Sequence, residues 1–91
     1  MKKTIKVSLG GFAYNLDDDA FLLLDSYIND LKSRLRNEKD GSEIVKDIEE
    51  RIAELFSEKK GNADSISIEI VKEVIETLGK PEDITSDTDD S

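Results

Sequence analysis

The sequence predicts an α+β domain in which an N-terminal β-hairpin, joined by a short third strand, packs with three helices. Three observations predict it. Apolar and polar residues alternate over residues 4–16, then apolar spacing switches to three and four, the change from a strand period to a helix period. Gly10-Gly11 divides the alternating stretch into two runs. The longest helical pattern, Ser42 to Phe56, carries one apolar stripe and one charged face. Residues 1–84 are expected to form a single domain, and residues 85–91 a disordered acidic tail or linker.

In the hairpin, Ile5, Val7 and Leu9 alternate with Lys6 and Ser8, and Phe12, Tyr14 and Leu16 alternate with Ala13 and Asn15. Two glycines between such runs suit a two-residue turn, because both central positions need positive φ. No lysine-serine pair or helix start follows them, as a phosphate-binding loop requires.

Asp17-Asp18-Asp19 reads as the capped, acidic start of the first helix. A divalent cation on the three carboxylates is the competing reading, but the spacing and glycine of a calcium loop are missing. The first helix is expected from about Asp18 to Arg36, burying Phe21, Leu24, Tyr27, Ile28, Leu31 and Leu35, with Asp30 and Arg34 paired one turn apart. Leu22 and Leu23 fall off that stripe and form a candidate apolar contact surface.

Asn37 to Gly41 is a polar break, and Asp40 with Glu43 reads as a capping box for the second helix. That helix buries Ile44, Val45, Ile48, Ile52, Leu55 and Phe56, can pair Asp47 with Arg51, and ends at Lys59-Lys60-Gly61. Glu50, Glu54 and Glu58 recur every fourth residue on its polar side. Such a row is ordinarily a solvated face, and it is also a candidate dock for a basic partner protein.

Ser65-Ile66-Ser67 reads as the short third strand. Ser67 caps a third helix from Ile68 to Leu78, buried through Ile70, Val71, Val74, Ile75 and Leu78 and stopped by Gly79. Pro81 opens a last turn to Ile84, expected to fold back as an apolar plug.

Composition narrows the function. The chain has 91 residues and a net charge of −9, a field that repels phosphate backbones and anionic lipid. Direct nucleic-acid binding and membrane insertion are therefore not expected, although Lys2, Lys3 and Lys6 cluster at the start. The chain lacks cysteine and histidine, which removes Ser-His and Cys-His nucleophile pairs and most zinc sites. Paired carboxylates could do acid–base work, but each candidate pair falls on a face expected to be solvated. No enzyme activity, metal or cofactor is expected. There is no continuous apolar signal core and no 18-residue apolar run, so a cytoplasmic location is expected.

Four segments together resemble one family: residues 1–32, Ser42 to Lys59, Ile66 to Gly79, and Gly79 to Ile84. The most specific are DIEERIAELF (Asp47 to Phe56) and LGKPEDI (Leu78 to Ile84). They resemble the N-terminal cytoplasmic domain of Bacteroidetes-type phage-shock-protein-C domain proteins, stress-responsive transcriptional regulators. A weaker similarity is to small helical signalling domains of the HAAS type, which share a middle helix containing Asp-Ile-Glu and an ending like Leu78-Gly79-Lys80-Pro81.

The first resemblance implies a regulatory, protein-interaction or self-association domain on the cytoplasmic face of a membrane-anchored stress-response protein. In that family, transmembrane helices and an extracytoplasmic β domain follow, so the acidic tail reads as a linker into a longer chain. The alternative is a DNA-binding regulator that uses the first two helices as a helix-turn-helix. A recognition helix, however, needs Arg, Lys, Asn or Gln toward the groove, and this one carries mostly glutamate.

Overall fold

A computed structural model describes residues 3–81. Its elements are β1 (Thr4–Leu9), β2 (Phe12–Asp17), α1 (Asp18–Leu35), α2 (Gly41–Lys60) and α3 (Ile68–Leu78). The α+β class and the hairpin-plus-three-helix order are as the sequence predicts. The expected plug at Ile84, the tail and Lys2 lie outside the described residues.

The hairpin register pairs Ile5 with Leu16, Val7 with Tyr14 and Leu9 with Phe12. Gly10 and Gly11 make the turn at φ 56° and 88°, values that side chains rarely tolerate. The third strand shrinks to a single parallel bridge, Leu16 to Ile66. It is held by the Ile66 amide on the Asn15 carbonyl at 2.8 Å and the Asp17 amide on the Ile66 carbonyl at 3.0 Å. Ile66, set alongside β2 by this bridge, is completely buried in the core.

The acidic start of α1 differs from a simple cap. Asp17 occupies the cap position without a side-chain bond to the helix. Its carboxylate is buried and accepts the Ser65 hydroxyl at 3.0 Å, so it ties the helix start to the segment before α3. Asp18 and Asp19 instead accept the amides of Asp19 and Ala20. The three carboxylates thus serve separate bonds.

The capping box at Asp40 is also absent. The chain reverses through backbone bonds, Glu38 amide to Leu35 carbonyl and Gly41 amide to Glu38 carbonyl. This leaves Asp40 at φ −103°, ψ 21°, outside the extended conformation that aims a cap side chain at the next turn. Gly41 belongs to the helix and not to a polar break: it is buried, and a Cβ there would collide with the Leu35 carbonyl oxygen. Of the two expected ion pairs, Arg34 to Asp30 forms at 3.1 Å, while Asp47 and Arg51 do not close within 4 Å.

The fully buried side chains come from every element: Leu9, Leu16, Leu24, Leu31, Ile52, Phe56, Ile66, Val71 and Val74. Ala20 and Ala53 are buried as well, where small residues let the elements approach. Ile28, Ile48 and Leu55 pack only at the core's edge. Helix α3 starts on the Ser67 hydroxyl, which accepts the Ile70 amide at 3.4 Å. It ends at Gly79, whose amide donates to the Ile75 carbonyl at 2.7 Å.

Candidate interaction surface

Helix α2 presents Val45, Ile52, Ala53 and Phe56 inward, so the 3.6-residue period turns Glu50, Glu54 and Glu58 outward. All three glutamates are exposed. Successive members stand about 6 Å apart along the axis, so the row covers about two turns.

The hairpin fixes one end of this row. A Cβ on Gly10 would meet the Glu50 Cα and Cγ at 3.1 Å, so only a glycine backbone lies this close to α2. Three residues along the helix, the Ala53 carbonyl accepts the Tyr14 hydroxyl at 2.8 Å. The Tyr14 ring meets Phe56 edge-on, with centroids 5.6 Å apart. The hairpin is thereby clamped over the middle of α2.

Phe12 follows the turn, paired with buried Leu9, yet 63% of its surface is exposed. The even alternation of β2 implies an inward Phe12. No element covers the ring there, and it is left in solvent. Sequence reasoning missed this residue, because periodicity reports which face a side chain takes and not whether a distant element covers that face.

Leu22 and Leu23 do not form a joint apolar patch. Leu22 is 66% exposed, whereas Leu23 is half-buried and packs against the core. The side position of Leu23 on the helix wheel is close enough to the core for its long side chain to reach it. Among the described residues no group of three His, Cys, Asp or Glu could hold a metal ion, and no helix is long and apolar enough to cross a membrane.

These features define a small helix-rich α+β domain with an acidic helix face and an exposed aromatic ring. A family model for HAAS matches residues 26–87, and the chain belongs to the HAAS family, whose domains are associated with signalling and protein interaction. The family shown is thus the weaker of the two resemblances. The matched stretch begins inside α1, so the hairpin with Gly10 and Phe12 lies before it. No curated protein and no solved structure matches.

Proposed function

We propose that this domain is a non-enzymatic signalling module that binds a basic partner protein through the outer face of α2. The observation that carries the reading is the exposed row Glu50, Glu54 and Glu58, with the hairpin turn packed against Glu50 and exposed Phe12 two residues from the Gly10 that touches it. Carboxylates beside an aromatic ring suit lysine and arginine, which pair with the former and stack on the latter. An interface of this kind also needs a buried anchor, and Phe12 is the residue able to supply one. Leu22 is the apolar contact that remains from the Leu22–Leu23 pair.

We further propose that the module works in the cytoplasm, at the membrane face of a stress-responsive protein. What suggests this setting is the sequence resemblance of Asp47 to Phe56 and of Leu78 to Ile84 to phage-shock-protein-C domain proteins; the family match itself is to HAAS. DNA reading by α2 finds no support in a surface of carboxylates.

The test is in-cell crosslinking of the full-length protein, comparing wild type with Glu50→Lys/Glu54→Lys/Glu58→Lys and with Phe12→Ala. Loss of one specific protein crosslink in both variants is the expected result. Crosslinks that survive charge reversal would remove the acidic face from the reading. If the only crosslinks are between copies of the chain, the module assembles rather than recruits.

A further inference from the structure

Beyond the acidic face, a cavity of about 400 Å³ opens between the end of α1 and the start of α2. Lys32 lines it from the last turn of α1, Arg36 from the C-cap of that helix and Lys46 from α2, against a single carboxylate, Glu49. Leu35 and Val45 form its apolar floor, and both are buried. The Ser42 hydroxyl adds a group able to donate or accept.

This is an unexpected place for positive charge. The chain has 22 acidic residues against 13 basic ones. Yet among the described residues none of these three cations has a carboxylate within 4 Å; the ion pairs there are Arg34–Asp30 and Lys59–Glu73. Lys32 lies in the last turn of α1 and Arg36 follows one turn later as its C-cap, so their like charges repel each other at the helix end. A bound anion would relieve that repulsion. The volume falls within the range of small-molecule sites, roughly 300–1,000 Å³.

We propose that this cavity binds a small organic anion. Its phosphate or carboxylate is held by Lys32, Arg36 and Lys46, and its apolar body rests on Leu35 and Val45. Arginine contributes a planar fork for the oxyanion and the lysines contribute point charge. The site lies apart from the Glu50–Glu58 row and does not depend on it.

The test is amide NMR of the intact chain titrated with phenyl phosphate and with benzoate, using inorganic phosphate and phenol as controls. Saturable shifts are expected at residues 32–36 and 41–49, with the aromatic anions bound about tenfold more tightly than inorganic phosphate. Whichever aromatic anion binds more tightly identifies the oxyanion. Lys32→Gln/Arg36→Gln/Lys46→Gln should abolish the shifts. All three side chains are exposed, so the variant's remaining spectrum should be unchanged. Three results would overturn the proposal: no saturation, equal shifts around Lys59, Lys60 and Lys72, or binding that persists in the triple variant. Inorganic phosphate binding as tightly as phenyl phosphate would also overturn it, since only an adventitious ion would then be seen.

Discussion

The Tyr14 hydroxyl donates to the Ala53 carbonyl across 39 residues of sequence, at 2.8 Å and out of solvent. This bond and the Tyr14–Phe56 ring contact join the hairpin to α2, so they set where Gly10 and Phe12 stand relative to Glu50. Tyr14→Phe keeps the ring and removes the bond, at an expected cost of about 1 kcal/mol. Tyr14→Ala also removes the packing and should cost about 3–5 kcal/mol. Urea unfolding of both variants checks the ranking; equal losses would mean that the hydroxyl carries the whole junction.

Ile52 and Ile48 lie one turn apart on α2, yet only Ile52 is fully buried. Ile52→Asp would place an unpaired charge among Phe56 and its neighbours. The penalty is several kcal/mol, comparable with the roughly 5 kcal/mol total of a small domain. That variant should be unfolded by circular dichroism. Ile48→Asp can turn its carboxylate toward water, so it should remain folded with a lowered midpoint.

At Gly41 the restriction is space. Alanine there would collide with the Leu35 carbonyl, a backbone atom that cannot swing aside. Gly41→Ala should therefore cost about 1–3 kcal/mol despite the better helix propensity of alanine. A rise in the denaturation midpoint would show that the α1–α2 turn relaxes freely.

Tyr27 gives the fold an alkaline limit. Its hydroxyl donates to the Gly79 carbonyl at 2.8 Å, and burial pushes its pKa from 10.0 up to about 12. The folded state disfavours the phenolate, whereas the unfolded chain ionises near pH 10. The group's stabilisation is therefore complete below about pH 10 and is lost as pH rises toward 12. Tyr27→Phe should lower stability by about 1 kcal/mol at neutral pH. It should also flatten the loss between pH 10 and 12, as measured by urea midpoints across that range. An unchanged slope would mean that other groups dominate the alkaline transition.

Much of the fold was legible because its signals are local. The two-residue period around Gly10-Gly11 gave the hairpin. The Ser67 hydroxyl and Gly79 bounded α3, and the stripe from Val45 to Phe56 marked the buried face of α2. Each depends on residues within a few positions of one another. The errors fell where a distant element intervenes. Asp17 looks like a cap in sequence, but Ser65, 48 residues away, takes its carboxylate. Leu23 looks exposed on an isolated helix and is covered by the assembled core.

The sequence by itself determined the element order, the acidic outer face of α2 and the absence of thiol and imidazole chemistry, since these follow from residue identity and period alone. Only the tertiary structure decided that Gly10 abuts Glu50, that Phe12 is left uncovered, and that Lys32, Arg36 and Lys46 share one cavity. Those outcomes depend on where one element ends against another. That is fixed by the packing of Tyr14, Phe56, Leu35 and Gly41 across long stretches of chain, and no local pattern encodes it.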